Sequence, residues 1–203
     1  MNVFLQGMGV GAGLIIAIGA QNTFVLTQGI RRQHHWLIAS LCSLSDMLLI
    51  FIGAAGIGGM VAGNPILQNV AAWTGAIFLF WLGAKALRGV VTAKQLQAGE
   101  EAVTGMRAVV LTTLSLTFLN PHVYLDTLVL LGSIGGQYQS AERYAFALGA
   151  SASSFLWFFA LSVTGTLLAP LFRKSAAWRL LDFVVGVTMW WIGWRLVARF
   201  FVS

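Results

Sequence analysis

Two acidic residues stand inside long apolar runs: Asp46 in Ser43-Leu44-Ser45-Asp46-Met47-Leu48-Leu49, and Asp126 in Tyr124-Leu125-Asp126-Thr127-Leu128. An Asp at the centre of a bilayer costs about 2.5–3.5 kcal/mol on insertion scales, so one that is kept there holds a cation or a proton. The plainer reading is an acid neutralised by protonation or by a neighbouring Ser or Thr. Two polar interruptions accompany these acids, Gly19-Ala20-Gln21-Asn22 and Asn120-Pro121-His122. Pro121 removes a backbone donor and strands the carbonyl four residues earlier, while Gly19 weakens the helix around it. In lipid, such backbone survives only against protein or a wet cavity. Both places are therefore expected to be helix breaks whose freed groups, with Gln21, Asn22 and Asn120, bind a substrate. A kink whose amides merely bond adjacent helices is the alternative. His122 is read as a packed polar group. Glu100, Glu101, Glu142 and Asp182 fall in loops or at span edges and are read as solvated or helix-end charges.

Other chemistries lack their residues. One Cys, three His and no His-Glu-x-x-His motif argue against an intramembrane enzyme, and no metal site or cofactor is expected. The absence of a Gly-x-x-x-x-Gly-Lys-Ser/Thr loop argues against ATP hydrolysis within this polypeptide. Cys42 lies in an apolar run with no second cysteine to bridge to, and is read as packing. A net charge of +6 raises nucleic acid as a partner, but the 12 Lys and Arg are spread over helix ends with no dense basic patch, so none is expected. A non-transporting assembly subunit is a further alternative; it would tolerate loss of the buried acids.

The elements that must position these residues follow from hydropathy. With 58% hydrophobic and 9% charged residues among 203, there is too little polar surface to coat a soluble globule, and lipid is the expected solvent. Apolar runs at about 3–28, 37–62, 66–89, 108–132, 144–170 and 180–202 are each long enough to cross a ~30 Å core as a tilted helix. The sequence thus predicts an all-α integral membrane protein of about six transmembrane helices, with helices 1 and 4 broken. The N-terminus lacks the basic region of a signal peptide and is expected to be retained.

The halves repeat weakly. Gln21–Leu26 resembles Asn120–Leu125 at an offset of 99, Ser43–Phe51 resembles Ser151–Phe159 at 108, and Phe80–Lys85 resembles Trp190–Arg195 at 110. One transmembrane domain made of two inverted three-helix repeats, 1–90 and 108–203, joined by a cytoplasmic linker at 91–107, accounts for this. On alternate loops, one side carries Arg31, Arg32, Arg88, Lys94, Arg107, Arg173, Lys174 and Arg179 and the other only Arg143 and Arg199. The positive-inside rule puts the first set in the cytoplasm and the C-terminus in the periplasm, although the glycine-rich start leaves open whether the first segment fully spans. Lys85 and Arg195, near span ends, are read as cations snorkelling to headgroups. The spacings Gly7/Gly11, Gly9/Gly13 and Gly59/Gly63 suit close helix contact, within the chain or in a homodimer.

At these residues the chain resembles the LysE family of basic amino-acid exporters, and within it the arginine exporters of Gram-negative bacteria. The resemblance rests on Gly19-Ala20-Gln21-Asn22, Gln28-Gly29-Ile30-Arg31-Arg32-Gln33, Ser45-Asp46, Leu119-Asn120-Pro121-His122-Val123-Tyr124-Leu125-Asp126-Thr127, and Ser154-Phe155-Leu156-Trp157-Phe158-Phe159. It implies export of arginine, and of lysine as a related substrate, across the inner membrane, with Asp46 and Asp126 as the family's intramembrane aspartates. Ala20 departs from the family, which usually has proline after the glycine; this bears on the sharpness of the first break. Export of neutral amino acids or of another small cation is the alternative within transport. An inside-negative potential opposes cation exit by about 2.3 kcal/mol per charge per 100 mV, so protons are the expected coupling ion, by one-for-one exchange on an Asp.

Overall fold

The computed structural model describes residues 2–16, 19–57, 65–91, 105–120, 123–173 and 175–198. Among them every regular element is helical: α1 (Val3–Ile15), α2 (Ala20–Arg31), α3 (His35–Ile52), α4 (Pro65–Val91), α5 (Met106–Phe118), α6, α7 (Ser140–Leu168) and α8 (Ser175–Ala198). Here α6 is a π-helical stretch, Tyr124–Leu131, that runs on as Gly132–Gly136. Beyond α3 the chain winds on through Gly53–Ile57 but kinks at Gly56, which leaves helical conformation (φ 96°, ψ 2°), and a 3-10 turn, Ala169–Arg173, ends α7.

The chain leaves helix before Gly19 and again at Leu119–Asn120, at the two places where breaks are expected. The α1 and α2 axes lie 84° apart, with Gly19 in extended conformation (φ −137°, ψ 170°) heading α2. The fourth apolar run ends its first helix at Phe118 and resumes beyond Asn120, with Pro121 and His122 outside the described residues. Each break strands a carbonyl at the end of the leading half-helix, and a side chain from the trailing half satisfies it. Asn22 Nδ2 donates to Ile15 O at 3.0 Å, and the Tyr124 hydroxyl donates to Phe118 O at 2.7 Å. That is the condition lipid imposes on interrupted backbone.

Segments long and apolar enough to cross a bilayer run over His35–Gly56 and Ala141–Leu171, with a third if the bent α1–α2 pair counts as one span. At 27 and 24 residues, α4 and α8 also exceed a ~30 Å core in length. Large side chains face outward, with Ile66 75% and Leu167 73% exposed, as a lipid-facing surface requires.

Lipid is as apolar as leucine, so close van der Waals fit holds such helices together. α7 is the central post, packed against α1, α2 and α3, and α4 pairs with α8. Of the spacings in α1, Gly7 and Gly11 serve contact within the chain: a Cβ at Gly7 would strike the Phe146 carbonyl, and one at Gly11 would come within 2.6 Å of Ser153 Oγ. Gly9 and Gly13 face open space, while Gly59 and Gly63 lie outside the described residues. The α2–α3 connection is a tight reversal in which Arg32 (φ 55°) and His34 (φ 48°) take the left-handed conformation. Gln33 N–H bonds back to Gln28 O and Arg32 N–H to Gly29 O, closing the end of α2.

Candidate functional site

The two breaks border one cavity. Its volume is about 300 Å³, and Gln21, Asn22, Asp46, Asn120 and Asp126 all line it, with Gly19, Thr127 and Arg195. Every site residue expected from the sequence and lying in the described region is there. Apolar walls come from Ile15, Leu131, Phe158 and Trp191. Small-molecule sites span roughly 300–1,000 Å³, so this cavity has room for one small polar ligand.

Each polar group arrives by a different local route. Asp46 sits on α3 one turn after the buried Cys42, is 4% exposed, and accepts a hydrogen bond from Ser154 Oγ of α7 at 2.8 Å. Asp126 lies in the first turn of α6, half-buried, where the π-helical winding offsets its face from an ordinary α-helical register. Thr127 Oγ1 turns back and donates to Val123 O at 2.6 Å, which satisfies that carbonyl at the start of the widened turn. Gln21, 8% exposed, stands in the opening turn of α2; its Nε2 has no hydrogen-bond partner among the described residues. Gly19 provides no side-chain cap, so the first N–H groups of α2 carry no capping side chain.

Two charged residues depart from the sequence expectation. Arg195 lines the cavity instead of only reaching for headgroups, its Cζ 5.3 Å from the Trp191 ring centroid. Hydropathy places it near a span end but says nothing of which way that face of α8 turns. Asp182 is not a solvated end charge: it is 6% exposed and ion-paired with Arg31 at 3.4 Å. The partner lies 151 residues away, beyond the reach of local pattern. Glu142 is exposed at the start of α7 as expected, and Glu100 and Glu101 lie outside the described residues. Among the described residues no cluster of His, Cys, Asp and Glu could hold a metal ion.

Fold and cavity together define a helical integral membrane protein whose polar groups gather at the breaks of two helices. The chain belongs to the LysE type translocator family, which matches it over residues 12–199. It is 43% identical over 197 residues to the arginine exporter protein ArgO of Klebsiella pneumoniae (strain 342), an alignment covering 97% of this chain and 93% of that one. It is equally 43% identical over 200 residues to the arginine exporter protein ArgO of Salmonella typhimurium, covering 98% and 95%. No solved structure matches the chain.

Proposed function

We propose that this protein exports L-arginine, with L-lysine as a related substrate, from the bacterial cytoplasm across the inner membrane by exchange for protons. The observation that carries this is the convergence of Asp46 and Asp126 with the amides of Gln21, Asn22 and Asn120 on one cavity at two helix breaks. A basic amino acid brings a cation at one end and a zwitterion at the other. The carboxylates suit the cation. The uncapped start of α2, the Gln21 Nε2 donor and Arg195 suit the α-carboxylate, because a helix N-terminus favours anions. The names of the relatives point the same way. Export of a neutral amino acid is favoured only by Arg195, which offsets one of the two acids and leaves the other without a counter-charge.

The coupling follows from burial. A carboxylate removed from water is stable with a proton or with a bound cation and unstable with neither. Asp46 is about 16 Å along α3 from its cytoplasmic end, near the middle of a ~30 Å core, where either side can reach it after rocking of one half against the other. We read the halves as the two inverted repeats, 1–90 and 108–203, with the linker 91–107 in the cytoplasm. Two contacts support this. Ser154 bonds Asp46 across 108 residues and Trp190 Nε1 bonds Phe80 O across 110, the same offsets at which the sequence repeats. Residues related by a two-fold touch each other only beside its axis. Six crossings result, with each broken pair counted once; the ends bearing Arg31, Arg88, Arg107 and Arg179 face the cytoplasm, and the C-terminus faces the periplasm.

The test is counterflow of labelled arginine in proteoliposomes, with lysine, ornithine, canavanine and a neutral amino acid as competitors, followed by efflux and internal pH recorded together at clamped voltage. Basic competitors should inhibit, external acid should speed efflux, and each arginine leaving should bring in about one proton. Asp46→Asn should abolish both fluxes. Wild-type transport by that variant, or uphill arginine flux without proton movement, would overturn the mechanism.

A further inference from the structure

A second cavity, about 100 Å³, lies between α2, α4 and α8, bordered among others by Gln28, Arg31, Lys85, Ala86, Asp182 and Met189. It shares a seam with the larger one. Gln28 is seven residues beyond Gln21, two turns and about 10 Å along the same face of α2. On α8, Asp182, Val185 and Met189 border the smaller cavity and Ile192 the larger, at spacings of three and four that keep to one face. Arg31 ends α2 and Arg88 stands near the end of α4, so the smaller cavity is at the cation-rich, cytoplasmic end of the seam. Buried Phe24 and Met189 occupy the intervening turns of the two helices.

Two of its lining residues, Asp182 and Gln28, carry buried acceptors. Asp182 is 6% exposed and takes one donor from Arg31 Nη2 at 3.4 Å, long against the 2.7–2.9 Å usual for a charge-assisted bond. Gln28 is 2% exposed, and its Oε1 has no hydrogen-bond partner among the described residues. A buried amide oxygen left open costs free energy unless something supplies a donor. A guanidinium offers five N–H groups in a planar fork, more than one acceptor can use.

We propose that this cavity is a cytoplasmic-side binding site for the side-chain cation of a basic amino acid, with Asp182 and Gln28 Oε1 as acceptors and the Arg31 guanidinium as the tethered group the ligand displaces. The proposal rests on the export reading and adds to it a first station ahead of the Asp46 cavity. Displacement exchanges one guanidinium for another, so Asp182 is at no point a bare buried charge, which would be strongly unfavourable. Lys85 also borders the cavity, but it is exposed, with its ammonium 6.0 Å over the Trp81 ring.

The test is protection of a cysteine in the wall, Ala86→Cys in a Cys42→Ala background, from a small polar thiol reagent added on the cytoplasmic face of membrane vesicles. L-arginine should slow modification about tenfold, as binding near a reactive thiol does when the site is mostly filled. L-citrulline, its neutral isostere, should not. Protection should persist with Asp46→Asn, which disables the larger cavity, and vanish with Asp182→Asn. Asp182→Glu should keep it at higher arginine concentration, and Gln28→Leu, which removes only the second acceptor, should weaken it severalfold and stands in if Asp182→Asn does not fold. An inert Ala86→Cys, absence of protection, equal protection by citrulline, or dependence on Asp46 in place of Asp182 would each overturn the site. Wild-type counterflow separates the two ideas: no arginine flux with protection intact sinks the export reading alone, and normal flux without protection sinks this site alone.

Discussion

Ser154→Ala removes the hydroxyl that donates to Asp46 Oδ2 at 2.8 Å, and Ser154 is fully buried, so no bulk water replaces it. A hydrogen bond to a charged group contributes about 1.5–3 kcal/mol. The bond favours the ionised carboxylate over the protonated one, and only the ionised form holds the substrate. Deleting the hydroxyl therefore weakens arginine binding by most of that amount, roughly tenfold to a hundredfold at 1.4 kcal/mol per decade. Half-saturating arginine in proteoliposome counterflow should rise accordingly. Protons and arginine compete for the same group, so raising the pH on both sides should recover part of the loss. Ser151→Ala is the control: that hydroxyl is also buried but donates to Ala147 O of its own helix at 2.8 Å, and its loss should change half-saturation less than twofold. Unchanged half-saturation in Ser154→Ala, with Ser151→Ala equally silent, would refute the assignment of Asp46 as the exchanging group.

Gly53→Ala should lower the melting temperature by the equivalent of about 1–3 kcal/mol and impair transport, because its Cβ would lie 2.8–2.9 Å from Leu128 O, Leu128 Cα and Thr127 O and push the Asp126 segment away from α3. Tyr124→Phe leaves Phe118 O without its 2.7 Å donor and should cost about 1–3 kcal/mol in thermal unfolding of the purified protein. Single cysteines replacing Gln21, Asn22 or Asn120 in a Cys42→Ala background should react with small polar thiol reagents and be slowed by arginine; inertness in loaded and empty states alike would mean a dry kink. Glu142→Gln, at an exposed helix start, should change stability by less than about 0.5 kcal/mol and leave flux as in wild type.

The polar site was legible because its background is so apolar. Against runs of Leu, Ile, Val and Phe, Asp46, Asp126 and the Gln21-Asn22 and Asn120 amides stand out as residues lipid would not tolerate alone, and all five line one cavity. The breaks were legible for a related reason, since glycine and proline mark where helical bonding lapses. Rotation was not. Whether Arg195 faces lipid or the cavity depends on how α8 turns against α4, and Trp191 four residues before it suits either outcome. Lys85 and Trp81 repeat that spacing, so the cation–π pair itself was within reach of the repeat alignment. Arg31 and Asp182 escaped because Arg31 ends α2 and Asp182 stands at the edge of the apolar run 180–202, where a solvated charge is the ordinary reading, and only the meeting of α2 with α8 buries them together. The π-helical winding of Tyr124–Leu131 has no hydropathy signature.

The contact between Asp46 and Ser154 has an electrical side. If its two members are counterparts in the two halves, the carboxylate stands beside the line about which the halves rock, as an axle does in a wheel. Such a group changes which compartment it faces without itself travelling through the membrane field. Charge displacement during the empty, protonated return should then be close to nil, and the work done against about 2.3 kcal/mol per charge per 100 mV falls on the ions passing through rather than on the protein. A voltage jump applied to substrate-free protein, at a pH low enough on both sides to keep the acid protonated, should record almost no transient current, while the same jump with arginine present should record one.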